Sequence, residues 1–356
     1  MRALTVLPGQ AGSARLDDVP DPEPQAGELV VRGVAVGVCG TDKEIVRGDY
    51  GWAPPDRDRL VLGHESLGRV EHAPRDSGFH VGDLVVGVVR RPDPEPCGAC
   101  AHGEWDMCRN GRYTERGIKA IDGFASELWT IPSEYAVRVD PALGLAGVLT
   151  EPTSVVAKAW EQVDRIGGRA WFSPSTVLVT GAGPIGLLAA MIGVQRGLDV
   201  HVLDRVTTGI KPDLVGSLGA TFHHGTVAEA ARSAVPDVVI EATGVGSVAF
   251  EVMAETGPYG IVCLTGVSPK GRTLQIDAGG LNRELVLEND VVVGSVNANM
   301  RHYEAAVDHL SSADTAWLRR LITTTVPLDD FATAFDRPGD DVKVVITLEE
   351  DAEEAP

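Results

Sequence analysis

Residues 176–204 read TVLVTGAGPIGLLAAMIGVQRGLDVHVLD, and this stretch decides the fold. Thr176–Thr180 is a short apolar run of the kind that forms a strand buried on both faces. Gly181-Ala182-Gly183-Pro184-Ile185-Gly186 follows at once as a G-x-G-x-x-G turn and opens a helix over Gly186–Arg196. A second apolar run, Asp199–Leu203, ends at Asp204. Strand, glycine turn, helix, strand and terminal carboxylate together are the signature of a dinucleotide site. The first glycine serves the tight turn, the second lets a pyrophosphate approach the backbone, and the third lets helix and strand pack closely. The helix start offers free N–H groups to the phosphates. Asp204 is placed to accept from the adenosine ribose hydroxyls, which favours NAD, whereas Arg205 could pair with a 2′-phosphate and favours NADP.

Downstream, strands are expected at Asp237–Ala242, Gly260–Thr265 and Asp290–Val296, alternating with helices in a doubly wound parallel sheet. Upstream, a helix is expected over Thr153–Ile166. The first 150 or so residues change character. Short β segments (Glu28–Val36, Leu67–His72, Leu84–Val89, Glu127–Ile131) are separated by Gly/Pro clusters such as Pro20–Gly27, which reads as a β-rich, barrel-like unit. The expected class is α/β, with two domains in 356 residues.

Composition excludes several functions. The formal charge is −20, which argues against a nucleic-acid partner. No run approaches the roughly 20 apolar residues of a membrane span. The N-terminus lacks a secretory pattern, so a cytoplasmic protein is expected. Lysine is scarce beside arginine, which fits either coding bias or a salt-adapted host. The tail, LEEDAEEAP, is acidic and expected to fray. The five cysteines are an odd number, and three of them fall within twelve residues, so metal ligation explains them better than disulfides.

Cys39-Gly40-Thr41-Asp42 and Gly63-His64-Glu65 bring thiolate, imidazole and carboxylate, a donor set suited to a catalytic zinc with an open position. Glu151, at the junction of the two regions, is a fourth candidate. Asp42 can hold the non-ligating nitrogen of His64. Cys97-x2-Cys100-x7-Cys108 is a second cluster with only three of the four ligands of a structural zinc. Asp93, Glu95, His102 and Asp106 are nearby substitutes. The lobe either holds zinc or is a degenerate loop. Cys263 lies in an expected strand and reads as core.

The order of catalytic-zinc motif, zinc lobe and dinucleotide unit resembles the zinc-containing medium-chain dehydrogenases over essentially the whole chain. Val89–Pro92 (VRRP), Tyr113–Gly123 (YTERGIKAIDG), Glu151-Pro152 and Asn282–His302 (NRELVLENDVVVGSVNANMRH) are similar, more specifically, to glucose 1-dehydrogenases of the archaeal type. The resemblance implies a GroES-like catalytic domain, 1–165 with 298–356, and a Rossmann domain, 166–297. It implies zinc on Cys39, His64 and Glu65 with Glu151 close by, and sugar hydroxyls around Thr41, Glu115, Glu151 and Asn297. The cofactor would be lined by Gly181, Gly183, Pro184, Ile185, Gly186, Asp204, Arg205, Thr265, Gly266, Val267, Ser295, Val296 and Asn297, with Lys343 a weaker candidate. Family members are homodimers or homotetramers joined through Rossmann edge strands, and Asp290–Val296 resembles that edge.

Two departures stand out. Aligned on Cys108, the family's first lobe cysteine falls at Pro94. The triplet Asp204-Arg205-Val206 replaces the Asn-Arg-Arg or Gly-Arg-Arg of NADP-accepting sugar dehydrogenases, which supports NAD or dual use. The implied reaction is oxidation of an aldose, glucose first, at C1 to the lactone. Glu115 would select the sugar, unless it only forms a surface ion pair with Arg116 or Arg112. A polyol or aminocyclitol dehydrogenase is the alternative within this chemistry. A non-catalytic dinucleotide-binding protein, or a zinc-free reductase, would lack the ligands at Cys39, His64 and Glu65.

Overall fold

The computed structural model describes residues 1–271, 273–336 and 341–349, so most of the acidic tail lies outside the described residues. The chain divides into two compact units, Met1–Ser154 with Asn297–Pro356, and Val155–Val296. The first division falls inside the Thr150–Gly167 helix rather than at its end, where the sequence pattern places it.

The second unit is built on a six-stranded sheet, parallel throughout. Its spatial order is Thr221–His223, Asp199–Leu203, Thr176–Thr180, Val238–Glu241, Ile261–Leu264, Val291–Gly294. Strand order reverses beside Thr176–Thr180, so the carboxyl ends of that strand and of Val238–Glu241 flank the crevice where such sheets bind ligands. Val177, Leu178 and Val179 are fully buried, as a central strand covered on both faces requires. Cys263 is also fully buried and core, and burial pushes its thiol up to about 12. The glycine turn is capped by a helix that starts at Pro184, two residues before the expected start, and runs to Gln195. Proline suits this position because its missing N–H would have no intrahelical partner. The short Thr221–His223 strand is not visible as a hydrophobic run. Val291–Gly294 is one edge of the sheet and Thr221–His223 the other.

The first unit centres on a seven-stranded sheet around Glu28–Val38, the longest strand. Glu65–His72 and Lys343–Thr347 flank it, both antiparallel. The C-terminal strand therefore completes the N-terminal sheet. Its core includes Leu29, Val31, Leu62, Phe124, Ile131 and Val344. Two registers position the site. Gly37 pairs with Glu65, and Val38 pairs with Val344. Cys39, Glu65 and Lys343 thus emerge side by side at the ends of three neighbouring strands.

Candidate active site and dinucleotide cleft

In the first unit, the ligand atoms of Cys39, His64 and Glu65 lie within 4.8 Å of one another. His64 and Glu65 are buried and Cys39 is half-buried. Asp42 organises the group. Its Oδ2 accepts from the Cys39 backbone N–H at 2.9 Å, and its Oδ1 lies 3.1 Å from His64 Nδ1. A carboxylate accepts, so Nδ1 carries a proton and Nε2 is the nitrogen left to face a metal, which would displace any proton there. Burial opposes a charge on His64, but Asp42 and Cys39 outweigh it and hold the imidazole well above its ordinary pKa.

Glu65 needs two further conditions. A Cβ on Gly37 would lie 2.0 Å from Glu65 Oε2, so the facing position must be glycine. Lys343 Nζ donates to both Glu65 oxygens, at 2.7 and 2.6 Å, and to Val38 O at 3.4 Å. Both side chains are 2% exposed. In this structure Lys343, the weaker cofactor candidate, is engaged by Glu65. It is the counter-charge of a carboxylate in the candidate metal cluster. Burial lowers its pKa, but Glu65 and Cys39 more than offset this and raise it. Glu151, in the first turn of the Thr150–Gly167 helix, stands beside the cluster. Burial, with Glu65 adding to it, pushes its carboxyl up to about 7 against the pull of His64 and Lys343. Thr41 is half-buried in the first turn of the Gly40–Val46 helix.

Glu115 is 4% exposed and pairs with neither Arg116 nor Arg112. Its Oε1 accepts from Arg90 Nε at 3.1 Å, Arg90 Nη2 at 2.9 Å and Asn297 Nδ2 at 2.7 Å. Arg90 is itself held by Asp106 O at 3.0 Å and stacks 3.7 Å over the Tyr113 ring. Arg90 lies in the VRRP segment, where no sequence pattern marks a role for it. Asn297, at φ +64°, is a left-handed non-glycine residue fixed by this contact.

In the lobe, the sulfurs of Cys97, Cys100 and Cys108 lie within 4.8 Å, with Cys97 and Cys100 3.7 Å apart. The backbone N–H groups of Arg109 and Cys100 lead in drawing the Cys97 thiol down to about 6, which suits thiolate ligation. No fourth ligand joins them among the described residues. Glu95 Oε2 is taken by Arg112 at 2.8 Å, His102 Nδ1 pairs with Gly98 O at 2.7 Å, and Asp106 Oδ1 accepts from Asn299 at 2.7 Å. Asp93 Oδ1 accepts from Glu95 N at 2.8 Å.

In the second unit, the glycine turn divides its labour as its spacing implies. Gly181 has φ +95°. A Cβ on Gly183 would meet no protein atom within 4 Å, which leaves room for a phosphate. A Cβ on Gly186 would lie 1.7 Å from Gly181 O, so only glycine closes the turn. The turn opens on a cavity of about 590 Å³ lined by Gly181, Gly183, Asp204, Arg205, Lys211 and Thr243, among others. Its volume and the open space at Gly183 suit a nucleotide ligand.

Glu241, fully buried at the strand end, accepts from Thr243 N at 2.7 Å and Gly244 N at 3.2 Å, and also from the Thr243 hydroxyl. It braces the turn opposite, and its sequence context had not marked it. Thr265 and Gly266 donate their N–H groups to Glu241 O, at 2.8 and 3.0 Å. Val267 and Val296 are exposed, Ser295 is buried, and Val296 O accepts from Lys158 Nζ at 2.8 Å.

Comparisons with known proteins agree with this fold. Residues 25–141 match the alcohol dehydrogenase GroES-like domain, and residues 144–348 match the glucose dehydrogenase C-terminus. The chain is 39% identical to a glucose 1-dehydrogenase of Methanocella arvoryzae, covering 98% of this chain and 99% of that protein. It is 41% identical to one from Thermoproteus tenax, covering 98% and 100%. The solved structure of Haloferax mediterranei glucose dehydrogenase in complex with NADP, Zn and gluconolactone superposes with a TM-score of 0.90 at 34% identity, over 98% of this chain and 99% of that one. With a GroES-like unit carrying the cysteine–histidine–glutamate cluster and a parallel-sheet unit carrying the glycine turn, the chain belongs to the zinc-containing medium-chain dehydrogenases, in the glucose dehydrogenase family of the archaeal type.

Proposed function

We propose that this chain oxidises the C1 hydroxyl of an aldose, glucose first, to the lactone, with hydride transfer to NAD or NADP. The observation that carries the reading is the convergence of Cys39, His64 and Glu65 at adjoining strand ends, with Asp42 orienting two of them. A zinc ion held there supplies a Lewis acid that lowers the pKa of the sugar hydroxyl, and a nicotinamide supplies the hydride acceptor. The chain's own residues do the rest. Asp42 fixes the tautomer of His64. Thr41 begins a proton path from the sugar hydroxyl. Glu151, whose carboxyl burial pushes up, is a candidate to exchange protons beside the cluster. Glu115 presents a carboxylate to sugar hydroxyls, and a site built to bond hydroxyls rejects analogues that lack them.

Cys97, Cys100 and Cys108 supply three of four ligands for a second zinc. Gly181 to Gly186, Asp204 and Arg205 hold the cofactor, with Thr265 to Val267 and Ser295 to Asn297 along its path. The Val291–Gly294 edge joins copies into a homodimer or homotetramer, which acts in the cytoplasm. Among the described residues no helix is long and apolar enough to cross a membrane.

The test is a panel of glucose, galactose, xylose, sorbitol and inositol, each with NAD and with NADP, with lactone detected directly. Glucose should lead and give lactone. Turnover confined to sorbitol or inositol would move the reading to a polyol or cyclitol dehydrogenase.

A further inference from the structure

A carboxylate ending the second strand of a dinucleotide-binding sheet normally excludes a 2′-phosphate by repulsion. In this cleft the Asp204 carboxylate is turned back into the loop that it follows. Its Oδ2 accepts from Ala182 N at 2.7 Å, and its Oδ1 accepts from Val206 N at 3.2 Å. Its side chain is 11% exposed. Opposite it stands Lys211, the second residue of the Ile210–Leu218 helix, whose side chain is 14% exposed. Lys211 Nζ lies 4.0 Å from Asp204 Oδ2. That is close enough to balance the charge but beyond hydrogen-bond reach, so Asp204 does not take up the ammonium's donors. Arg205 lines the same cavity, and the acidic Glu251 lines it too.

We infer that Lys211 is a cofactor-specificity residue. It offsets Asp204 and, with Arg205, binds the 2′-phosphate of NADP, so the cleft takes both dinucleotides. This rests on the reading of the cleft as a dinucleotide site. Arginine next to the acid is visible in the sequence as a phosphate partner. Lys211, seven residues along and in the next helix, becomes one only because the helix start returns to the cavity. An ammonium is a mobile point charge that suits a phosphate oxygen.

The test is calorimetric binding of 2′,5′-ADP and of 5′-AMP to the full chain, without sugar, for the wild type, Lys211→Gln and Lys211→Arg. Loss of one charge-assisted contact to phosphate is worth about tenfold in affinity. Lys211→Gln should therefore weaken 2′,5′-ADP about tenfold and leave 5′-AMP within about twofold, and Lys211→Arg should restore most of the loss. The KM for NADP should rise in parallel while the KM for NAD holds. If Lys211→Gln weakens both nucleotides equally, or neither, the inference is overturned while the dinucleotide reading stands. A wild type that binds neither nucleotide overturns both.

Discussion

Lys343→Met separates a metal ligand's counter-charge from the metal itself. Lys343 Nζ sits 2.6 and 2.7 Å from the two Glu65 oxygens, and both side chains are 2% exposed. Methionine fills the same volume without the charge. The Glu65 carboxylate then stays buried with no cation against it. Breaking a buried pair in this way costs about 3–5 kcal/mol, most of it the penalty of the stranded charge. The cost should appear in full only in chelated protein, because a bound zinc restores a positive charge at the same carboxylate. The assay is urea unfolding of wild type and variant, each metal-free and zinc-loaded, followed by intrinsic tryptophan fluorescence, to which the buried Trp129 of the same unit contributes. The metal-free variant should lose about 3–5 kcal/mol by a shift of midpoint at constant slope, and zinc should recover most of the loss. A metal-free variant within about 1 kcal/mol of wild type, well under the cost of a stranded buried charge, would show that the pair carries no such load. An equal loss with and without zinc would show that Glu65 does not face the metal.

Other outcomes follow from the same geometry. Gly37→Ala places a Cβ 2.0 Å from Glu65 Oε2 and 3.1 Å from Glu65 Cβ and Cδ. The displaced carboxylate should lower zinc affinity about 10–100-fold in a chelator competition, and undiminished affinity would contradict the ligand assignment. The folded protein holds the Glu151 proton up to about 7, against an ordinary value of 4.5. The unfolded chain therefore binds fewer protons between those values, and metal-free stability should fall as pH rises through that window. The slope from this group is up to about 1.4 kcal/mol per pH unit. His64, raised above its ordinary value, adds the same sign above pH 6.5. Urea midpoints that rise with pH between 4.5 and 7 would refute this burial account. Glu115→Gln keeps the shape of the side chain but removes the counter-ion of Arg90 and the acceptor charge proposed to face the sugar. Ratios of kcat/KM between glucose and its epimers should change by about tenfold, and unchanged ratios would remove Glu115 from sugar selection.

The parts legible in the sequence are those governed by local rules. The glycine turn announces its own geometry because each glycine answers a steric demand within the motif, and the buried strands around it read as apolar runs. Cys39, His64 and Glu65 are legible because their donor chemistry is unusual in combination, and Asp42 because it lies within a few residues of Cys39. What escaped depends on register between distant segments. Nothing near Lys343 marks it as the partner of Glu65. Only the pairing of the C-terminal strand with Glu28–Val38 brings them together. Its sign was available in hindsight: in a lysine-poor chain, Lys343 stands within an apolar strand, KVVIT. Arg90 likewise meets Glu115, which the resemblance had marked together with Asn297, only through segments far apart in the chain. Glu241 hides as the last residue of a hydrophobic strand, where a carboxylate looks like an interruption rather than a brace.

The central claim, that a zinc held by Cys39, His64 and Glu65 drives sugar oxidation, is tested most directly by one titration. Glucose oxidation with NAD or NADP is followed in chelator-stripped protein while zinc is added back, with bound zinc measured at each point. Turnover should be absent in the stripped protein and rise in proportion to zinc bound, and a Cys39→Ser, His64→Ala protein should recover neither metal nor turnover. Full glucose oxidation by zinc-free protein would contradict the account.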